Sequence, residues 1–151
     1  MTLKQISVFL ENSPGRLLEI TQAFGKAGIN LKALSLAGTS GFGVLRLIVS
    51  DHRKARNIAM EHRWPARVDD VLAVRIPDVP GALAEVLAPL YEHRIDVEYM
   101  YAFTGFSPRE AVMIFGFKDV KEAARVLLGH NAVLLGSDEF GELENKGDGA
   151  I

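Results

Sequence analysis

The chain has no cysteine, a single tryptophan and only six prolines. Without thiols there is no disulfide staple, no thiolate metal site and no thiol nucleophile. Neither charge sign dominates: 17 Lys+Arg stand against 19 Asp+Glu, a formal −2, so nothing global draws the chain to nucleic acid or an anionic membrane. No apolar run approaches the roughly 20 residues needed to span a bilayer. The opening Met1 to Gln5 lacks the basic-then-apolar layout of a secretion signal. A cytoplasmic protein is expected. What is present is globular composition, 48% hydrophobic and 24% charged over 151 residues, enough for one ordinary domain or two small ones.

The chain is also a repeat. Asn12-Ser13-Pro14-Gly15-Arg16-Leu17 reads against Asp78-Val79-Pro80-Gly81-Ala82-Leu83, 66 positions on. The same offset carries Ile20 onto Val86, Phe24 onto Leu90 and Ile29-Asn30-Leu31 onto Ile95-Asp96-Val97. Later the offset becomes 68, aligning Asp51 with Asp119 and Ala55 with Ala123. Two extra residues therefore fall in the second copy, with Thr104 to Pro108 the expected place. One Pro-Gly-x-Leu match could arise by chance, but not together with an apolar pattern held in register.

Each copy has the same element order. Lys4 to Leu10 alternates as a strand does. Pro14-Gly15 opens a helix with an apolar stripe at Leu17, Ile20, Phe24 and Ala27, closed by Gly28. Asn30 to Ala37 and Gly43 to Ser50 form a hairpin around Gly38 to Gly41. Asp51 caps a second helix to about Arg63, and Ala66 to Asp70 is a short fourth strand. The second copy follows with strand Val71 to Ile76, a helix from Pro80-Gly81, hairpin strands Asp96 to Phe103 and Ala111 to Phe117, a capping-box start at Asp119, and strand Ala132 to Leu135. Pro89 falls inside a helix and is expected to kink it.

Strand-helix-strand-strand-helix-strand, twice, predicts an α+β protein: two tandem ferredoxin-like βαββαβ domains, each an antiparallel sheet with its helices on one face. The expected boundaries are residues 1–70 and 71–137. Residues 138–151, polar and net −4, read as a disordered tail. A copy of about 65 residues is small for an independent core, so the halves are expected to pack together and the chain to form a homodimer.

Catalytic chemistry finds little support. His52, His62, His93 and His130 show no metal-ligand spacing, and the carboxylates are scattered or sit at helix starts, where capping accounts for them. No catalytic residue, metal or cofactor is expected. Gly38-x-x-Gly41-x-Gly43 joins two strands, so it reads as a hairpin and not as a dinucleotide loop. Gly41-Phe42-Gly43 also matches part of an RNA-recognition octamer, but Ser40 replaces its basic residue, and Val44 and Leu47 replace its stacking aromatics.

The repeated loop before the first helix of each copy does suggest chemistry. Unpaired amides at a helix start favour a carboxylate, and Gly15 or Gly81 lets a ligand approach the backbone. Asn30 offers donor and acceptor at the start of the next strand, expected beside the loop in space. Asp96 is acceptor-only there, suited to an ammonium group. A free amino acid carries both charges. The bland alternative is a capped turn.

These residues resemble a known family. Asn-x-Pro-Gly-x-Leu over Asn12 to Leu17, followed by Gly28-Ile29-Asn30-Leu31, looks like the ACT domain, the amino-acid-sensing module of metabolic enzymes. Pro80-Gly81-Ala82-Leu83 with Ile95-Asp96-Val97 looks like a degenerate second copy. The resemblance covers residues 3 to about 137 and is nearest to small stand-alone bacterial tandem ACT proteins. It implies a non-catalytic regulatory protein that binds a free amino acid at an interface between domains. Carried over by position, Asn12, Ser13, Gly15, Leu17 and Asn30, with flanking Pro14 and Arg16, would form one site. Asp78, Val79, Gly81, Leu83 and Asp96, with Pro80, would form a second. His93-Arg94-Ile95-Asp96 in place of Ala27-Gly28-Ile29-Asn30 loses that Gly and Asn, which puts the second site in doubt, so one occupied type of site is expected rather than two. The competing reading is a ligand-independent regulatory or structural subunit of a metabolic enzyme complex.

Overall fold

A computed structural model describes residues 1–146 of the chain, apart from the side chains of residues 104–106 and 143–146. The chain divides into two compact units, Lys4–Asp69 and Asp70 onward, the latter joined by Met1–Leu3.

The first half runs β1 (Leu3–Glu11), α1 (Arg16–Lys26), β2 (Leu31–Thr39), β3 (Phe42–Val49), α2 (His52–Glu61) and the start of β4 (Ala66–Pro77). β1 pairs antiparallel with β3, placing Ile6 opposite Leu47 and Val8 opposite Leu45. β2 lies beyond β3, with Leu34 opposite Leu47 and Leu36 opposite Leu45. β4 flanks β1 on its other side. Paired residues share a sheet face, and this face closes on Ile20 and Phe24 of α1 and Ala55 and Ala59 of α2.

The second half repeats the order: the rest of β4, α3 (Ala82–Glu92), β5 (Tyr99–Ser107), β6 (Glu110–Gly116), α4 (Val120–Gly129) and β7 (Val133–Leu135). β4 lies between β6 and β7, and β5 is outside β6. Leu72, Val74 and Ile76 face Leu90 of α3 and Ala123 and Leu127 of α4. The two fourth-and-first strands expected at 66–70 and 71–76 are one uninterrupted strand.

Hydrogen bonds repeat along with the elements. Asn12 N–H donates to the Gly41 carbonyl (3.0 Å), and Asp78 N–H to that of Arg109 (2.8 Å). Asp51 accepts from Lys54 N–H (2.9 Å) and Asp119 from Glu122 N–H (3.0 Å), satisfying one orphan amide at each helix start. The capping box at Asp119 is only half made, because Glu122 turns to Arg125. All four helices of the repeat end on a residue at positive φ: Gly28 (73°), Arg63 (58°), Arg94 (55°) and Asn131 (61°). The returning bond of this ending is present in each half, from Ile29 N–H to the Phe24 carbonyl and from Ile95 N–H to that of Leu90.

Two expectations need correcting, while a third, the place of the insertion, agrees with the structure. Residues 95–98 precede β5, so Asp96 is not in a strand. The insertion expected at Thr104 to Pro108 lengthens the β5–β6 hairpin, whose register is irregular between Phe103 and Ser107. The polar stretch read as a disordered tail forms α5 (Ser137–Lys146), while 147–151 lie outside the described residues. Its start is organised by a Gly136 N–H bond to the Glu139 carboxylate (2.9 Å), and Asp138 and Glu139 suit the positive end of the helix dipole. Phe140 is 2% exposed, its ring 5.4 Å from that of Phe103. Phe103 pairs with Val112, on the face turned away from Met113 and Phe115. α5 therefore covers the sheet face opposite α3 and α4. One buried aromatic anchors it, a signal that net charge and composition average away.

β5 has a further constraint. Tyr99 lies opposite Gly116, and its ring occupies the space that a Cβ on Gly116 would need. Pro89 is accommodated inside α3 with its ring buried.

Phe140→Ala is expected to lower stability by about 3 kcal/mol, the cost of truncating a buried aromatic, whereas a disordered tail would give no change in urea unfolding. Asp51→Ala and Asp119→Ala are each expected to cost about 1 kcal/mol through loss of a helix cap, measured the same way.

Candidate functional site

The expected site residues occupy two places in each half. In the first half, Asn12 to Gly15 forms the tight link from β1 to α1. Ser13 N–H donates to the Glu11 carbonyl (2.8 Å), Arg16 N–H to that of Ser13 (3.3 Å), and Gly15 sits at φ 85° as the residue before the helix. Gly15 supplies no side-chain cap, so the first amides of α1 are not covered by one. Asn12, Ser13, Pro14 and Leu17 are exposed, and Arg16 pairs with Glu19 (2.9 Å). Asp78 to Gly81 repeats the arrangement, with Gly81 at φ 92°.

Asn30 is elsewhere. Its N–H donates to the Ser50 hydroxyl (3.0 Å), and its carbonyl accepts from Ser50 N–H (3.0 Å), just past the end of β3. The loop is tied instead to Gly41, at the start of β3. α1, 11 residues long, separates the two places; at 1.5 Å per residue that is about 16 Å. A single free amino acid does not bridge this distance, so the loop and Asn30 of one domain do not touch the same ligand. The same separation, set by the 11 residues of α3, holds between Asp78–Leu83 and Asp96. The sequence places these groups one helix apart, and the helix runs back along the sheet.

A cavity of about 440 Å³ lies at the Asp96 end of the second half. Leu90, Ile95 and Val97 supply apolar wall, and Tyr91, Arg94 and Asp96 also line it. Tyr91 is 84% exposed. By the repeat offset, Tyr91, Arg94 and Asp96 stand where the first half has Gly25, Gly28 and Asn30. The second copy thus carries an aromatic, a cation and an anion where the first carries two glycines and a neutral amide. Arg94 holds φ 55° without being glycine, a conformation with a steric cost for any Cβ-bearing residue. Sequence reading singled out Asp96, weighed Arg94 only as the loss of a glycine, and passed over Tyr91, which lies outside the compared Gly-Ile-Asn pattern.

A second groove of about 430 Å³ lies between α1 and α2, lined by Glu19, Lys26, Ala27, Ile58, Glu61 and His62. Exposed apolar side chains also mark the outer strand of the first half: Leu34 and Leu36 share the face of buried Leu45 and Leu47 yet are 40% and 50% exposed. Among the described residues no helix is long and apolar enough to cross a membrane.

Two sheets of order 4-1-3-2, each with a glycine-entered helix after its first strand, define a tandem ferredoxin-like protein. Residues 1–143 match the family model described as an ACT domain pair, and the chain belongs to that family. The crystal structure of protein BT0572 from Bacteroides thetaiotaomicron is similar at TM-score 0.86 and 37% identity, over 93% of this chain and 96% of that one. The ligand-free regulatory subunit of aspartate kinase from Thermus thermophilus is similar at TM-score 0.61 and 17% identity, over 84% and 91%. Its Thermus flavus counterpart gives 0.57 and 14%, over 85% and 92%. No curated protein matches the chain.

Arg94→Gly is expected to raise unfolding stability by about 0.5–1 kcal/mol by relieving the positive-φ cost. Loss of stability on chemical denaturation would show that the guanidinium is held by the fold and not offered to a ligand.

Proposed function

We propose that the protein is a non-catalytic regulator that binds a free amino acid and signals through its association with another chain. The observation that carries this reading is the cavity at the start of β5, where opposite charges flank an apolar wall. The Arg94 guanidinium matches an α-carboxylate, the Asp96 carboxylate an α-ammonium, and Leu90, Ile95 and Val97 an aliphatic or aromatic side chain. Family membership supports the ligand class, and two relatives of similar fold are regulatory subunits of aspartate kinase.

The exposed loops Asn12–Leu17 and Asp78–Leu83 retain a role in this reading. Because each lies a helix length from Asn30 or Asp96 of its own domain, a loop reaches a bound ligand only when it comes from another domain. A homodimer supplies one, and Leu34 and Leu36 on an outer strand are the apolar surface such pairing would cover. Ligand affinity that differs between two packings then shifts their populations, and no further device is required.

A second reading, a subunit that docks on a metabolic enzyme without ligand, draws on the same exposed leucines. Calorimetric titration of the full chain with each of the twenty amino acids separates the two. Saturable binding of at least one amino acid is expected, with Arg94→Ala and Asp96→Ala each weakening it tenfold or more, about 1.4 kcal/mol. Absence of binding by all twenty would leave the ligand-independent reading in its place.

A further inference from the structure

We propose that a second copy of this chain docks its α5 on a basic stripe along the outer side of α2. The net charge of −2 conceals a division: residues 1–70 carry ten Lys+Arg against six Asp+Glu, whereas residues 71–151 carry seven against thirteen. One half is thus +4 and the other −6, so two copies are complementary although each is close to neutral.

α2 concentrates the positive sign. Arg53, Arg56, Met60 and Arg63, spaced three, four and three, form one stripe of exposed side chains. The stripe flanks buried Ala55 and Ala59 on the side turned away from α1, since Lys54 reaches the Ala27 carbonyl and Glu61 lines the groove between the two helices. Among the described residues no carboxylate pairs with any of these three arginines. Met60, 63% exposed, gives the stripe an apolar centre, and methionine and arginine are both enriched in protein interfaces. The second half is an internal control: 68 positions on, the same stripe reads Lys121, Ala124, Leu128 and Asn131, with a single cation. The basic face is therefore no requirement of the fold.

α5 supplies the opposite sign. Phe140 is buried, while Asp138 and Glu142, one turn apart, stand exposed and without an ion pair among the described residues. Along a helix axis Asp138 and Glu142 are about 6 Å apart, close to the roughly 4.5 Å between Arg53 and Arg56. An α5 laid antiparallel to α2 brings Glu142 to Arg53 and Asp138 to Arg56, and sets opposite dipole ends side by side. A polyanion such as nucleic acid answers only the positive half, whereas a second copy answers both. Exposed ion pairs are individually weak and are screened by salt, so the contact is a salt-sensitive association. It is separate from the surface of Leu34 and Leu36 and needs no amino acid.

The test is sedimentation velocity of the untagged full chain without added amino acid. Self-association is expected at about 50 mM NaCl, with Kd raised tenfold or more at about 500 mM. Arg53→Glu with Arg56→Glu should raise Kd tenfold or more at low salt, as should Asp138→Lys with Glu142→Lys, and Lys121→Glu should not change it. The two reversed proteins, each deficient alone, should associate with one another when mixed. No self-association up to millimolar chain, association unmoved by salt and by both reversals, or no pairing in the mixture would overturn the assignment. So would binding of a labelled random-sequence DNA duplex at about 0.15 M salt that Arg53→Glu with Arg56→Glu abolishes, because the stripe then serves a polyanion. The salt series uses the unaltered protein and decides the matter even if a variant fails to fold.

Discussion

Each half depends on a single apolar seam. In the first, alternate residues of β1 and β3 (Ile6 and Val8 with Leu45 and Leu47) close on Ile20 and Phe24 of α1. In the second, Leu72, Val74 and Ile76 with Met113 and Phe115 close on Leu90 and Leu127. Each such side chain contributes about 1.5–3 kcal/mol on burial, so the seam outweighs any single polar contact in the fold. It also sets the functional geometry. A helix can bury its stripe against the central strands only by running back along them, so its start and its end lie at opposite ends of the sheet. The entry loop that ends in glycine and the polar residue after the helix are parted by the same packing that makes the domain stable.

Most of this architecture is legible in the sequence because it is carried by periodicity and punctuation. The 66-residue offset, the stripe through Ile20 and Phe24, the Asp caps and the Gly28 ending each have one physical meaning, and the structure realises all of them. What was not legible depends on distance across the fold. Asn30 follows the loop by fifteen positions, which says nothing of the helix that keeps them apart. α5 was hidden by its charge, because composition weighs Asp138, Glu139 and Glu142 against one Phe140 and has no means of knowing that Phe103 is waiting for it. Arg94 was hidden by comparison with the first copy, where a departure from pattern reads as decay.

The duplicated halves have diverged through exchanges that keep each helix end satisfied. Lys54 donates its ammonium to the Ala27 carbonyl at the end of α1 (2.5 Å). Its counterpart in the second half is Glu122, which has no proton to give and pairs with Arg125 instead. The end of α3 is served by its own His93, through the bond to Pro89. A glycine-plus-lysine ending in the first half thus corresponds to an arginine-plus-histidine one in the second. The exchange leaves the backbone path unchanged and moves the ionisable groups of the second half to the mouth of its cavity and the groove between its helices.

The ring of Tyr99 resting on Gly116 bears on that cavity. β5 is an outer strand with irregular pairing toward Ser107, so its hairpin end does little to hold it in line. At its other end Glu98 N–H meets the Gly116 carbonyl (3.0 Å) and the tyrosine ring fills the gap left by the missing side chain. Slippage of the strand by two places would drive that ring into a neighbour that has a Cβ. A glycine on the adjacent strand therefore works as a detent, holding at fixed reach the short stretch that carries Asp96 and Val97, and so governing how wide the cavity they line can open.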